Sequence, residues 1–243
     1  MWTRLTDKKG TADMNATGQA AMILSFDVEA AVQPEHDEWH SHEHLLERLA
    51  IPGFERGSRW TALAGGPRYF VLYEVRALEV LESPAYQARL NNPSPWTARM
   101  MPAYRGMRRG LCRLRASAGQ GLGGFALLLR FGTGGGQAAV WDEWLAAELL
   151  PSLASRAGLV AARWYEAGLQ AQLTAEQRLR GTDGTVDGAL FVTGYDCAAL
   201  TALAEGELAA AALEARGAAG VSAGVYQLGH VLTAGEAQGA AWA

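Results

Sequence analysis

The stretch Asp37–Trp60, DEWHSHEHLLERLAIPGFERGSRW, decides how this chain is read. Between Asp37 and Ala50 the residues Trp39, Leu46, Leu49 and Ala50 fall on one side, at the 3.6-residue period of an amphipathic helix. Pro52-Gly53 stops that helix, because proline removes a backbone donor and glycine accepts the left-handed turn that follows a helix. Phe54–Leu63 continues as an extended segment of mixed polarity.

His36, His40, His42 and His44 are four of the five histidines in the chain. His36, His40 and His44 are spaced four apart and line one side of the helix. Imidazoles at that spacing can share a metal ion. No cysteine cluster or HExxH pattern accompanies them, so the residues favour a solvated or interface face.

A weaker copy of the stretch recurs downstream. Asp37, Glu38, Trp39, Glu43 and Gly53 match Asp142, Glu143, Trp144, Glu148 and Gly158 at a constant offset of 105, and Trp60 meets Tyr165 there. Identities confined to one helix-turn element at one offset point to duplication. Phe70 matches Phe191 only at an offset of 121, so the second copy carries a longer loop, about Gly168 to Asp187. Trp39/Trp144 and Glu43/Glu148 persist in both copies, as expected of residues serving the fold, the tryptophans as core anchors. His40, His42 and His44 become Leu145, Ala147 and Leu149. The first copy is therefore expected to carry the polar site and the second to be scaffold.

Strands are expected at Ala21–Ala30, Phe54–Leu63, Arg68–Val75 and Tyr104–Ala116, from their apolar, β-branched and aromatic content. Ala64-Gly65-Gly66-Pro67 is a hairpin turn, and Ser83-Pro84 and Ser94-Pro95 are helix starts. The order β-α-β-β-α-β is the ferredoxin-like unit. It restarts after Ser117–Gly124, with strands at Phe125–Phe131, Leu159–Ala167, Gly188–Tyr195 and Val221–Leu232. A helix is expected at Val140–Arg156, and a long alanine-rich one, capped by Asp196, runs to Arg216. The expected class is α+β: a tail (1–19), one ferredoxin-like unit (20–116), a linker (117–124), a second unit (125–233) and a small-residue tail (234–243). Met14 is a second candidate start. Each sheet has helices on one face only, so the bare faces must pack on each other.

The run EHLLERLAIPGFERGSRW, with Glu43-His44 and Pro52-Gly53-Phe54, resembles the EthD-like members of the dimeric α/β-barrel superfamily. The resemblance covers about residues 20 to 116 and only faintly the second half. It implies two units pairing sheet to sheet around a cavity, here from one chain, as a pseudo-dimer. It also implies small-molecule chemistry without a metal or organic cofactor: cyclisation, isomerisation, decarboxylation or oxygenation of an aromatic or lactone-like compound. A non-catalytic binding or structural protein of the same fold is the alternative. Haem binding, with His230 as axial candidate, is a weaker third.

His44 matches the family position and is the candidate acid-base, since imidazole titrates near working pH. Asp27, at the end of the first strand, is a candidate to orient it or to act itself. His40, Tyr69, Tyr73 and Trp96 are candidate substrate-binding residues. Alternation puts Tyr69, Val71 and Tyr73 on one face and Phe70, Leu72 and Glu74 on the other, without saying which lines the cavity. Gly132–Gly136, GTGGG, follows a strand as phosphate loops do, but without a GK[ST] tail or GxGxxG frame it reads as a turn.

Composition narrows the remaining classes. The chain has 243 residues, 49% of them hydrophobic, enough for one large core or two smaller ones. A net charge of −4 argues against a nucleic-acid partner. No apolar run is long enough to span a bilayer and no signal peptide is evident. Cys112 and Cys197 are the only cysteines, as in a reducing cytoplasm. A small-molecule ligand is the expected partner, with a homodimer possible.

Overall fold

The computed structural model describes residues 18–133, 138–169, 174–181 and 183–240. Strand β1 (Ala20–Val28) leads into helix α1, which runs through Gln33–Trp39, a π-helical turn at His40–His44, and Leu45–Leu49. Next come β2 (Phe54–Gly65), β3 (Tyr69–Val75), α2 (Pro84–Asn91), α3 (Pro95–Met100) and β4 (Tyr104–Gly119). The second unit holds β5 (Phe125–Gly132) and α4, which runs through Ala138–Trp144, a π-helical turn at Leu145–Leu149, and Leu150–Ala154. It continues with β6 (Leu159–Leu169), α5 (Ala175–Arg180), β7 (Gly184–Thr185) and β8 (Gly188–Gly194). The chain ends in α6 (Cys197–Glu205), α7 (Ala210–Glu214), β9 (Ala219–Thr233) and α8 (Ala234–Ala240).

The two units repeat each other in detail. Both π turns stand at the same offset of 105. Gly53 and Gly158, after the two helices, both have positive φ, 95° and 87°. A side chain rarely adopts that conformation, which accounts for the repeated glycine. Ser83 and Ser94 cap α2 and α3 by accepting from the backbone N–H of Tyr86 and Thr97.

Eight antiparallel strands close into one barrel in the order β1-β3-β2-β9-β5-β8-β6-β4, with β4 returning to β1. The units join edge to edge through β2–β9 and β4–β6, and β7 adds a short parallel pairing to β4. Every residue of β3 and β8 is buried, because one face looks into the barrel and the other lies under helices. The barrel interior is filled by side chains. Trp60 meets Phe191 edge-on at 5.6 Å, and Phe70 meets Phe191 and Tyr226 at 5.5 and 5.7 Å. The expected ligand cavity between the sheets is therefore a packed core. Two further cores lie outside the barrel, one under each unit's helices.

Several boundaries differ from expectation. Ser117–Gly119 pair with β6, which shortens the linker to the residues before Phe125. The long alanine-rich helix breaks at Gly206, where the chain turns so that both Leu208 and Leu213 reach the core. Residues 234–240 of the expected C-terminal tail form α8, started by a reciprocal cap between Thr233 and Glu236 and packed on the first unit through Ala237, and residues 241–243 lie outside the described residues. Gln19 belongs to the sheet edge, where its carbonyl accepts from the Leu114 N–H. Residues 1–17 of the expected N-terminal tail, with Met14, lie outside the described residues. Among the described residues no helix is long and apolar enough to cross a membrane.

Candidate functional site

Helix α1 turns His36, His40, His44 and Arg48 toward the outer face of the first unit's sheet, and all four are buried. Of the expected apolar stripe, Trp39 and Leu49 are buried, while Leu46 is only partly covered and Ala50 is exposed. The solvated-face reading is therefore overturned for His36, His40 and His44, while His42 is exposed. At an offset of 105 the four positions are Trp141, Leu145, Leu149 and Leu153, all buried and apolar. One helix face thus packs hydrocarbon in the second unit and titratable groups in the first.

The histidine rings step along the helix with centroids 5.7 and 5.6 Å apart rather than converging on one point. Among the described residues no His, Cys, Asp and Glu grouping suits a metal ion. His36 shares hydrogen bonds with the Tyr104 hydroxyl (3.1 Å) and the Asp37 carboxylate (3.3 Å). His40 meets the Tyr73 hydroxyl at 3.4 Å. His44 packs on Trp39 with ring centroids 4.3 Å apart. Nδ1 of His40 and Nδ1 of His44 are buried without partners among the described residues. Burial holds both imidazoles well below their ordinary range; the next causes are His36 beside His40 and Arg48 beside His44. Both rings are neutral at neutral pH. Burial raises the pKa of Tyr73 and Tyr104.

A helix from the other unit closes the site. Arg48 Nη2 donates to both oxygens of Glu176 on α5, at 2.5 and 2.7 Å, and both side chains are buried. Burial opposes the Arg48 charge, and Glu176, with smaller help from Tyr86 and Tyr73, more than restores it. Arg180, one turn further along α5, forms a two-pronged pair with Asp183. Thr174 starts α5 with a capping box to Gln177, which fixes where Glu176 points. Buried Arg109 donates to the Tyr86 hydroxyl at 3.0 Å. Around these groups lies a cavity of about 20 Å³, bordered by Met22, Leu24, His44, Tyr73, Arg109 and Glu176 among others. That space holds about one water molecule.

The structure brings His44, His40, Tyr73 and Tyr69 together under α1. Tyr69 and Tyr73 face the helices, while Phe70 and Leu72 face the barrel. Asp27 does not join them. It is exposed, and its carboxylate accepts from the Arg68 N–H at 2.8 Å, tying β1 to the start of β3. Trp96 also lies apart, partly exposed, with its indole N–H on Glu35 at 3.0 Å. His230 is partly buried on β9, paired in register with Arg59. Sequence reasoning missed Arg48, Arg109, Tyr86, Glu176 and Arg180. Setting His36 to Arg48 against Trp141 to Leu153 would have shown that this face is buried. Nothing in the sequence pairs Arg48 with Glu176, 128 residues away.

No family model matches the sequence, and no curated protein is found similar to it. Solved structures are similar in fold across nearly the whole chain. An anthrone oxidase-like protein superposes with a TM-score of 0.64 at 13% identity, covering 92% of this chain and 97% of that one. A candidate monooxygenase of Lactobacillus acidophilus gives 0.55 at 9% identity, covering 88% and 96%. One of Fusobacterium nucleatum gives 0.54 at 8%, covering 90% and 96%. The chain therefore has the dimeric α+β barrel fold, with both ferredoxin-like halves and the closed eight-stranded barrel in one polypeptide.

Proposed function

We propose that the chain is a cofactor-independent acid-base enzyme of the EthD-like kind, acting in the cytoplasm on a small aromatic ketone or phenol. The observation that carries this reading is the buried face of α1, His36, His40, His44 and Arg48, where the second unit has Trp141, Leu145, Leu149 and Leu153. Titratable groups held in a core where hydrocarbon packs equally well are costly to the fold. Such strongly shifted groups cluster at functional sites.

In this reading neutral His44 takes a proton from a carbon conjugated with the substrate carbonyl, such as the ring methylene of anthrone. The C–H electron pair enters the conjugated system and the carbonyl π pair moves onto oxygen, giving an enolate. Arg109, whose hydrogen-bond partner is the Tyr86 hydroxyl, donates to that oxygen; buried donors aimed at developing charge are the strongest catalytic device in a dry site. An anion formed beside His44 also offsets the burial that holds its pKa down. The likeness to an anthrone oxidase-like protein and two candidate monooxygenases favours dioxygen as the co-reactant with the enolate.

The test is oxygen uptake and ultraviolet absorbance with anthrone as probe. His44→Leu, which copies Leu149 of the second unit, keeps the site filled. It is expected to lower turnover by about 10²-fold or more, the scale of losing a general base. Equal turnover by the wild type and His44→Leu sinks this mechanism. The small volume of the cavity, about 20 Å³, favours a second reading, a binding or structural protein of the same fold. Saturable binding of anthrone or a related phenol without turnover would select a binding protein, and absence of both would select a structural one.

A further inference from the structure

A second polar site lies at one mouth of the barrel, on the opposite side of the sheet from the histidines. Leu24 and Arg109 are cross-strand neighbours on β1 and β4, and both border the His44 cavity. The next pair along, Ser25 and Arg108, turns the other way. Arg130 on β5 joins them: its Nη1 donates to Ser25 Oγ at 2.6 Å and its Nη2 to Ser222 Oγ at 2.9 Å. Arg130 stands at the position of Ser25 in the second unit, so two symmetry-related residues touch across the barrel end.

Arg130 is only 8% exposed, and both of its hydrogen-bond partners are neutral hydroxyls. Arg108, exposed at the mouth, reaches only the Thr185 carbonyl, at 3.5 Å. Among the described residues neither arginine has a carboxylate within ion-pair distance. Burial pushes the Arg130 pKa down, and Arg108 nearby adds to the effect. Both guanidiniums border a cavity of about 290 Å³, open to solvent on one side. Asp187 supplies one carboxylate on its wall. A buried guanidinium without a counter-charge is unfavourable, and its planar fork matches the oxygens of phosphate or carboxylate.

We propose that this cavity binds a small ligand bearing a phosphate or carboxylate group, held between Arg130 and Arg108. The ligand's oxyanion supplies the charge that Ser25 and Ser222 cannot. Asp187 is placed to accept from a ligand hydroxyl or a protonated phosphate oxygen, which disfavours a ligand carrying many negative charges. The glycine run read above as a turn starts at this wall with Gly132; Gly134–Gly136 lie outside the described residues. The site stands apart from the proposed enzyme chemistry and does not depend on it.

The test uses the whole chain, titrated calorimetrically with inorganic phosphate and with acetate at an ionic strength held constant with sodium chloride. Constant ionic strength is needed because surface charge effects are screened by salt. One saturable site, weakened at least tenfold in both Arg108→Ala and Arg130→Gln and unchanged in His44→Leu, supports the proposal. Preference for phosphate assigns a phosphoryl ligand, and preference for acetate a carboxylate. Saturable binding of neither anion overturns it, as does binding that survives Arg108→Ala. That exposed substitution decides the matter if Arg130→Gln fails to fold.

Discussion

His40 and His44 are neutral because water is excluded from them, and this has a consequence for stability. Their folded pKa lies well below the ordinary imidazole value near 6.5, so between those limits the unfolded chain binds more protons. Stability is therefore full above about pH 6.5 and falls as pH drops toward the folded values, with His36 adding in the same direction. Each such group contributes a slope of up to about 1.4 kcal/mol per pH unit. Urea midpoints are expected to fall steeply from pH 7 to pH 5 in the wild type and much less in a His40→Leu/His44→Leu variant. Parallel curves for the two proteins would show that the histidines do not titrate with unfolding. These residues were visible in the sequence as an i, i+4 series, but their burial was not. Hydropathy counts imidazole as polar, so the stripe was drawn through Leu46 and Ala50 instead. Only the matched leucines of the second unit carry the information that this face is buried.

At the scale of elements, α1 and α5 are tied by Arg48 and Glu176. Removing one member of a buried ion pair strands the other charge, at a cost of about 3–5 kcal/mol, whereas replacing both with hydrocarbon is often neutral or better. Glu176→Leu and Arg48→Leu are each expected to destabilise on that scale, and the double variant to recover most of the loss. A double variant as unstable as the sum of the singles would refute the coupling. The repeated tryptophans divide in a similar way. Trp39 is fully buried, and its indole N–H donates to Glu43, which also accepts from Ser94. Trp144 is partly exposed beneath the Arg216 guanidinium, and Glu148 is exposed. The buried aromatic at this level of the second unit is Trp141, aligned with His36. Trp39→Ala is therefore expected to cost about 3–5 kcal/mol, and Trp144→Ala less than about half of that, measured by denaturant titration. Equal losses would mean that the two tryptophans share the anchoring role expected from their identity. The strand order and both serine caps were legible because turn chemistry and apolar runs are local signals. The π turns and α5 were not: a single extra residue in a helix leaves no periodic trace, and α5 lies within a segment that looked like an enlarged loop.

At the scale of the whole molecule, closure of the barrel makes each unit depend on the other. Within one unit β2 and β4 are edge strands. In the intact chain β2 pairs with β9 and β4 with β6, so no long edge is left open. Unpaired edges and a bare apolar face recruit another sheet or aggregate. The duplicated architecture therefore supplies internally the partner that a single unit would have to find outside. The aromatic core is also shared, since Phe70 and Trp60 of the first unit pack on Phe191 and Tyr226 of the second. Cutting the chain between Gly119 and Phe125 is expected to give fragments 18–119 and 125–240 that form a one-to-one complex when co-expressed. Produced alone, each should aggregate or self-associate, as judged by size-exclusion chromatography with light scattering. The complex should regain the cooperative urea transition of the intact chain at a lower, concentration-dependent midpoint, because joining two chains costs translational freedom that the linker otherwise removes. A soluble monomeric 18–119 fragment with its own cooperative transition would show that the first unit holds its histidine face without the second. Arg48 would then be stable without Glu176, and the closure of the site by α5 would be dispensable for folding.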